Sequence, residues 1–400
     1  MSTPQAVRHI NKTRALEALR RNGPMSRADL ARELAVTRST ASSIVASLIN
    51  LKMVTDEIDQ AEQIGLRMRT GRPSTDVFLN PNYSTFLGVE IGVGRGTIAI
   101  VNFAGEVISL EEYKFKIENT TPTKVADLVA DEVNQTISKL GDKLKPTSGR
   151  LSLAALTNSS GHLMRSPFLG WYNVPFLEIM RSALPEIEIL GVENDADAFA
   201  AAEMHYSTEN DHNNVVYLLL DTGVGGCSIV DGKILQGHNG LAGELGHMMI
   251  GGAGSAIDGD IVVKGSLESY IGRQALFKRH HELGGSANSI SELIAAADEG
   301  QSSAIDALND WAKYFSRGIA TIVSILAPEE IVISGPLAPV YIQNEALIRN
   351  SIASNLVTGS HIPNFRVSNF LGHTAPAIGA ALKVQLEHFN YNETILFGKS

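Results

Sequence analysis

One arrangement of strands and glycine turns occurs twice in this chain of 400 residues. The first copy has an apolar strand over 86–91 and the turn Gly92-Val-Gly-Arg-Gly96, and the second has an apolar strand over 215–220 and the turn Asp221-Thr-Gly-Val-Gly-Gly226. Each turn leads into a second strand and a hairpin. An ordinary β-turn would explain either copy alone. Two matched copies, interleaved with helices such as 123–140, predict two α/β lobes that face a cleft.

The composition is typical of a soluble chain with a large apolar core. Hydrophobic residues make up 44% and charged residues 19% of the sequence, and no apolar run reaches the ~18 residues of a membrane span. The N-terminal segment lacks the apolar stretch and cleavage site of a secretion signal, so we expect a cytoplasmic protein. The single cysteine, Cys227, excludes disulfides within the chain and thiolate-cluster metal sites.

Charge is distributed unevenly along the chain, whose net charge is −10. Residues 1–80 hold 12 Lys and Arg against 8 Asp and Glu, whereas residues 81–400 hold 21 against 35. The sequence therefore predicts a small basic domain over 1–80 joined to a large acidic domain over 81–400. The acidic total argues against nucleic-acid binding over the whole surface but not against binding by the basic domain.

Three helical segments follow one another in the basic domain. The first is expected over 11–22, and the second begins where Ser26 and Asp29 form a capping motif. After a tight turn, a third helix with an apolar stripe is expected over 37–50. A short helix, a turn and a helix that carries small hydroxyls and one cation are typical of helix-turn-helix recognition of the DNA major groove. The residues expected to face DNA are Arg38, Ser39, Thr40, Ser42 and Ser43.

Two short strands are expected after the third helix, over 53–55 and 76–79, on either side of a polar loop. They would complete a winged helix. The loop cations expected to contact DNA are Arg67, Arg69 and Arg72. The alternative is a three-helix bundle whose serines and threonines are merely solvated. The loop arginines and the local positive charge favour DNA binding.

The acidic domain contains several specific motifs. They are Ser166-Pro-Phe-Leu-Gly-Trp-Tyr-Asn-Val-Pro175, Glu193-Asn-Asp-Ala-Asp-Ala198, Gly243-Glu-Leu-Gly-His247, Gly265-Ser-Leu-Glu268, Ala327-Pro-Glu-Glu-Ile-Val-Ile-Ser-Gly335 and Ala377-Ile-Gly-Ala-Ala381. These motifs resemble those of the ROK family of repressors, open reading frames and sugar kinases. The resemblance covers nearly the whole chain and implies an α/β, two-lobed actin/hexokinase-like fold, in which an N-terminal winged helix marks the repressor branch. It places lobe one over about 81–203 with the C-terminal helix over about 375–390, and lobe two over about 204–374.

The resemblance also implies a sugar site. Its residues would be Asn194, Asp195, Glu244, His247 and Glu268. Asn194 and Asp195 stand where a strand meets a helix, so their side chains can point from the carboxyl end of the sheet into the cleft. Carboxylate acceptors and a histidine donor suit a polyol and repel a phosphate. Without the other motifs, the pair Asn194-Asp195 would be interpreted as a helix N-cap, and His247 would be interpreted as a structural histidine.

The sequence departs from the family's kinases where those kinases hold nucleotide. In them the aspartate that matches Asp195 is the base that acts on the sugar hydroxyl. The family's phosphate motif Asp-x-Gly-Gly-Thr-Lys is Glu90-Ile-Gly-Val-Gly-Arg95 here, and its nucleotide-side Gly-Gly is Ser334-Gly-Pro336. Because phosphoryl transfer depends on positioning and charge neutralisation, we expect Asp195 to be a vestigial base, with no catalytic residue and no cofactor.

Two further departures affect the metal and the ligand. The zinc-binding cysteines of the family are missing after His247, and that histidine with Asp258 and Asp260 does not make a tetrahedral zinc site, so we expect no metal. Asn158 and Ser159 replace the Pro-Gly that is usual in the family. Both would add hydrogen-bond donors near the cleft, and we expect Asn158 to contact the effector.

These features together favour a sugar-responsive transcriptional repressor. Its winged helix would bind operator DNA, its cleft would bind a sugar or sugar derivative, and it would act as a homodimer or homotetramer with no membrane contact. The alternative is an active ATP-dependent sugar kinase with an accessory DNA-binding domain. A third possibility is a regulator that reads a partner protein, for which the sequence offers no positive sign.

Overall fold

The computed structural model describes residues 4–56, 76–116, 120–141, 144–158, 161–207, 213–252, 262–370 and 373–397. Within these ranges the chain forms an N-terminal domain of three helices and a small sheet, followed by two lobes that are each built on a five-stranded sheet. Among the described helices, none combines the length and the apolar character that crossing a membrane requires.

The N-terminal domain has the winged-helix arrangement. Its elements are α1 (Pro4–Asn22), β1 (Met25–Ser26), α2 (Arg27–Glu33), α3 (Arg38–Asn50), β2 (Val54–Thr55) and β3 (Asp76–Leu79). Strand β3 pairs antiparallel with both β1 and β2. Ser26 Oγ accepts a hydrogen bond from the Asp29 amide at 3.1 Å, as the capping motif predicts, and Thr37 Oγ1 caps α3 by accepting from the Thr40 amide at 3.2 Å.

Helix α1 begins at Pro4, earlier than the start at residue 11 that the apolar periodicity predicts. Periodicity does not reveal this first part because tertiary packing supports it: His9 is buried and lines a small cavity together with Phe389 from the end of the chain. The loop arginines Arg67, Arg69 and Arg72 lie outside the described residues.

Lobe one is a mixed sheet covered by helices. Its elements are β4 (Thr85–Ile91), β5 (Arg95–Asn102), β6 (Val107–Lys114), α4 (Pro122–Leu140), β7 (Ser148–Leu153), β8 (Leu156–Thr157), β9 (Leu163–Ser166), β10 (Trp171–Val174), α5 (Phe176–Ala183), β11 (Glu188–Asn194) and α6 (Asp195–Tyr206). The strand order is β11-β7-β4-β5-β6, and β8, β9 and β10 form a separate small sheet. Strands β11, β7 and β4 are parallel, so their carboxyl ends meet at one edge.

Lobe two repeats this plan. Its elements are β12 (Val215–Leu220), β13 (Val224–Val230), β14 (Lys233–Ile234), α7 (Leu267–Ile271), α8 (Arg273–Glu282), α9 (Ile290–Asp298), α10 (Ser302–Leu326), β15 (Glu330–Ser334), α11 (Ala338–Asn355) and β16 (Asn364–Val367). The strand order is β14-β13-β12-β15-β16. The chain then ends in helix α12 (Thr374–Phe397).

The duplicated pattern of the sequence corresponds to matching parts of the two sheets. In each lobe three strands form an antiparallel meander, β4-β5-β6 and β12-β13-β14, and the first strand also pairs in parallel with a later one. The second strands start at Arg95 and Val224, earlier than predicted, because main-chain pairing continues into the glycine turns. Both turns therefore lie at the same end of their sheets.

Helix α12 returns from lobe two and packs on β4, β5 and β7 of lobe one and along α6. Two glycines permit this close packing. A Cβ atom at Gly88 would lie 1.9 Å from Ala377 O, and a Cβ atom at Gly379 would lie 1.7 Å from Ala198 O. Since real Cβ atoms never approach oxygen so closely, any side chain at either position would push α12 away.

Candidate effector cleft and nucleic-acid interface

A cleft of about 340 Å³ lies between the two lobes. The turn after β4, the carboxyl end of β11, the turn after β12, the segment that contains Glu244, helix α7 and the start of α12 all contribute to its walls. The structure brings five of the residues singled out by the sequence to these walls. They are Asn194, Asp195, Glu244, His247 and Glu268. Their role as effector contacts stays a prediction.

Asn194 ends β11 and is the N-cap of α6. Its side-chain oxygen accepts from the Ala196 amide at 2.8 Å, and its side-chain nitrogen donates to Ala155 O at 3.4 Å. The capping role that the dipeptide suggests is therefore present, and the same residue also lines the cleft. Capping fixes the orientation of Asn194 and of the neighbouring Asp195.

Asp195 is the first residue of α6 and is enclosed by the cleft. Burial raises its pKa to about 7, and the carboxylates of Asp221 and Glu244 add to this, while the Ala196 amide opposes it. That amide donates to Asp195 Oδ1 at 2.9 Å. Near neutral pH the Asp195 carboxyl therefore exists in both protonation states, so it both accepts and donates hydrogen bonds.

His247 lies between two carboxylates. Its Nε2 is 3.4 Å from Glu244 Oε2, and its Nδ1 is 3.3 Å from Glu268 Oε1. The side chain of His247 is 46% exposed while that of Glu268 is 7% exposed, so the imidazole faces the open side of the cleft. Burial raises the pKa of both glutamates, and the attraction of His247 opposes this. His247 is therefore paired with two acidic groups, as a satisfied structural histidine would be, and half-exposed at the cleft, as an effector contact would be.

A second group of charged residues joins the two glycine turns. Arg95 Nη2 from the first turn lies 2.8 Å from Asp221 Oδ2 in the second, and it also contacts His373 Nδ1. Burial, followed by the repulsion of Arg95, lowers the pKa of His373 to about 4, so its neutral ring accepts the hydrogen bond from Arg95. Burial raises the pKa of the adjacent Glu90 to about 8; Arg95 opposes the rise, and Asp195 and Asp221 add to it.

Sequence reasoning missed several cleft residues. His373 precedes α12 and reaches the cleft only because that helix returns to lobe one. Arg165 and Phe168 line the cleft from β9 and the following turn, and the motif over 166–175 was the signal that this segment belongs here. Arg95 was visible as a residue of the first glycine turn, but its pairing with Asp221 of the other lobe was not.

Asn158 does not line the cleft. Its side-chain oxygen accepts from the His162 amide at 3.0 Å, and its main-chain oxygen accepts from the Gly161 amide, so it closes a local turn. The expectation that Asn158 contacts the effector therefore has no support in the geometry, because the turn uses its side chain. Ser159 lies outside the described residues.

The expectation that no metal is bound concerns residues both inside and outside the described ranges. No group of three or more His, Cys, Asp or Glu side chains within the described ranges is placed to hold a metal ion. Asp258 and Asp260 lie outside those ranges, so the absence of a metal stays a prediction. Ser266, which stands at the last cysteine position of the family motif, is buried and caps α7 by accepting from the Ser269 amide.

The helix α3 presents one polar face and one buried face. The buried residues are Ala41, Ile44, Val45 and Leu48. The residues predicted to face DNA, which are Arg38, Ser39, Thr40, Ser42 and Ser43, are all exposed. Thr37 Oγ1 lies 2.8 Å from Thr40 Oγ1 and 2.9 Å from Ser39 Oγ, which orders the hydroxyls at the start of the helix. In a helix-turn-helix, the second helix enters the major groove of DNA. Helix α3 is that second helix, and its exposed polar face has the form that this role requires.

A winged helix joined to a two-lobed α/β domain with an acceptor-rich cleft defines a class of ligand-binding proteins with a DNA-binding domain. The chain belongs to the ROK family, whose model matches residues 86–386. The MarR family model matches residues 9–61, which covers the helices of the winged helix. The predicted family and fold class are thereby confirmed.

Similar proteins include both regulators and kinases. The xylose repressor of Bacillus spizizenii is 26% identical over 392 residues, which is 96% of each chain. A crystal structure described as a ROK family transcriptional regulator, homolog of the E. coli MLC protein, matches 98% of this chain and 99% of its own with a TM-score of 0.79 and 23% identity. The glucokinase of Streptomyces coelicolor is 26% identical over 328 residues, 74% of this chain and 96% of its own. The xylose repressor and this regulator structure both match nearly the whole chain, so the chain has the domain architecture of ROK transcriptional regulators.

Replacing Asp195 by Asn should make stability less dependent on pH. The folded-state pKa of about 7 exceeds the ordinary 3.8, so the folded protein keeps a proton that the unfolded chain loses between these values. This contribution to stability is complete below pH 4 and is lost as the pH rises through 7. At ~1.4 kcal/mol per pKa unit, the wild-type protein should lose on the order of a few kcal/mol of this contribution between pH 5 and pH 8. Asp195→Asn lacks the titrating group and should not lose it. The unfolding free energy of the variant should therefore rise by that amount relative to wild type over this pH range.

Urea unfolding of both proteins at the two pH values measures this difference. Asp306→Asn, at an exposed position on α10, controls for the substitution itself. If the unfolding free energies of Asp195→Asn and wild type differ by the same amount at pH 5 and at pH 8, the Asp195 carboxyl does not titrate in this range.

Proposed function

We propose that this protein is a sugar-responsive transcriptional repressor that acts in the cytoplasm. Its winged helix binds operator DNA through α3, and a sugar or sugar derivative in the interlobe cleft releases the DNA. The strongest support is that the chain combines an acceptor-rich cleft with an exposed polar face on α3. It does so in an architecture that it shares with the xylose repressor of Bacillus spizizenii over 96% of its length.

The cleft suits an uncharged polyol. Asp221 Oδ1 and Glu90 Oε2 are buried there and have no hydrogen-bond partner among the described residues. Sugar hydroxyls both donate and accept, so they satisfy carboxylates in either protonation state. A phosphorylated sugar would meet the carboxylates of Asp195, Glu244 and Glu268, and the guanidinium of Arg95 is already paired with Asp221. A free sugar is therefore the favoured effector.

Operator release follows from the spacing of two winged helices. In a homodimer the two α3 helices must lie about one turn of DNA apart, ~34 Å, to enter successive major grooves. A sugar that moves one lobe against the other changes this spacing and so lowers operator affinity.

Sugar phosphorylation is the second candidate function, and Asp195 is the residue that favours it. Two features of the cleft oppose it. The Val93 side chain lies at the first glycine turn, and the Arg95–Asp221 ion pair joins the two turns across the place where nucleotide phosphates would enter. We therefore propose that the chain uses a kinase scaffold without efficient phosphoryl transfer.

Purified protein with ATP, magnesium and a panel of free aldopentoses and aldohexoses should turn over far below the ~10 s⁻¹ median of enzymes. A coupled assay for ADP measures this, with a ROK glucokinase as positive control. Turnover near that median with any sugar of the panel would establish the kinase function instead.

Arg38→Ala should weaken operator binding and relax base preference, because a major-groove side chain contributes ~1–3 kcal/mol of discrimination. Arg67→Ala is the matched comparison, since a cation of the predicted loop would contribute mainly the salt-dependent phosphate contact. Fluorescence anisotropy with operator and random DNA measures both variants. Equal losses of Arg38→Ala on the two DNAs would exclude α3 as the recognition helix.

Glu244→Ala should abolish the sugar response. Loss of an acceptor for a buried ligand hydroxyl costs ~1–3 kcal/mol or more, which lowers sugar affinity about tenfold to a hundredfold. Titration calorimetry with D-xylose and the rest of the sugar panel measures binding, and operator release measures the response. Glu299→Ala, at an exposed site far from the cleft walls, is the control. Release of DNA by Glu244→Ala at the wild-type sugar concentration would show that the effector site lies elsewhere.

A further inference from the structure

Helix α6 connects the cleft with the DNA-binding domain. Its first residue, Asp195, lines the cleft, and His205 in its last turn contacts the winged helix. Arg20 Nη1 of α1 lies 3.3 Å from His205 Nδ1. Burial, followed by the repulsion of Arg20, lowers the pKa of His205 to about 3, so the ring is neutral and accepts the hydrogen bond from the guanidinium. At 1.5 Å per residue, the part of α6 from Asp195 to His205 spans about 15 Å.

Helix α12 makes the same connection along a parallel route. Pro376 in its first turn lines the cleft, and Phe389 near its other end lies against α1. Thr13 Oγ1 donates to Phe389 O at 3.2 Å, and the Phe389 ring packs edge-on against Phe103 of lobe one with centroids 5.1 Å apart. The buried side chains of the winged helix, of lobe one and of these two helices form one continuous apolar cluster. The DNA-binding domain is therefore packed against the ends of α6 and α12.

The two helices are also fixed to each other and to the cleft. The closest approach is at Gly379, where the backbone of α12 meets Ala198 of α6 without space for a side chain. A buried ion pair then joins Lys383 of α12 to Glu193, the residue immediately before Asn194. The side chains of Glu193 and Lys383 are 9% and 22% exposed, so water screens their attraction little. A shift of the Asn194-Asp195 junction is thus transmitted directly to α12.

We propose that α6 and α12 move as one unit that carries the sugar signal from the cleft to the winged helix. Glu193 and Lys383 tie this unit to the cleft, and the contacts of His205 with Arg20 and of Phe389 with Thr13 tie it to α1. This rests on the proposed function, since a sugar in the cleft supplies the displacement. None of these three contacts involves a residue of the cleft walls or of the exposed face of α3, so they act by positioning and not by binding.

The first test needs no sugar. Removing both charges together in Glu193→Gln/Lys383→Met avoids leaving an unpaired buried charge. Amide hydrogen exchange of the full chain should then quicken in α12 and also in α1, where the substitutions make no contact. The control removes the similarly buried ion pair of Arg279 and Asp310 in lobe two by Arg279→Met/Asp310→Asn, and should leave α1 unchanged. Unchanged exchange of α1 in the first variant would overturn the proposal.

The second test measures coupling as the ratio of operator affinities without and with saturating D-xylose, or with the sugar of the panel that releases the wild-type protein. Coupling of this kind typically amounts to about 5–150-fold. His205→Leu should reduce the ratio to within about twofold of one. His205→Asn, which keeps an acceptor near the position of Nδ1, should restore it.

Sugar affinity without DNA and operator affinity without sugar should both stay within about twofold of wild type in His205→Leu. Because linkage is reciprocal, the effect of operator on sugar affinity must fall by the same factor. A wild-type ratio in His205→Leu would overturn the proposal. If the wild-type protein bound neither operator nor any sugar, the proposed function would fail, and the exchange measurement on α1 would still decide whether the two helices form one unit.

Discussion

The close contact of α12 with β4 and α6 is the constraint on which the rest of this structure depends. The helix lies so near lobe one that Gly88 and Gly379 have no space for a Cβ atom. That approach places His373 and Pro376 at the cleft and Phe389 at the winged helix. The last helix of the chain therefore completes a lobe, a ligand cleft and an interdomain contact at once.

The walls of the cleft carry several carboxyl groups close together. Burial raises the pKa of Glu90, Asp195, Glu244 and Glu268. The pKa reaches about 8 at Glu90 and about 7 at Asp195, so protonation removes part of the negative charge of these two groups near neutral pH. Arg95, paired with Asp221, offsets part of the remaining negative charge, and Arg165 is a second cation on the cleft walls. The walls are rich in hydrogen-bonding groups, which supports the proposal that a polyol binds there.

The chain is similar both to repressors and to kinases, and in the proposed function the chemistry of the first glycine turn separates the two uses. A phosphoryl-transfer site needs open main-chain amides and a free cation at the glycine turns. In this chain the cation at the first turn, Arg95, is paired with Asp221 of the second turn and with His373. Under the proposed function, the two turns join the lobes instead of holding phosphate, and Asp195 is a vestigial base.

Local sequence determined the elements of this protein and pointed to five residues of the cleft walls. The apolar runs before the glycine turns, the capping residue Ser26 and the junction at Asn194 are local signals, and each lies where it was predicted, whereas Thr37 caps α3 instead of beginning it. Tertiary structure decided the rest. The early start of α1, the arrival of His373 in the cleft and the pairing of Arg95 with Asp221 join residues far apart in the chain. Asn158 is not among the residues of the cleft walls, and a local turn uses its side-chain oxygen, a competition that a motif position does not reveal. Periodicity and capping act over a few residues, whereas these contacts exist only after α12 has packed on lobe one.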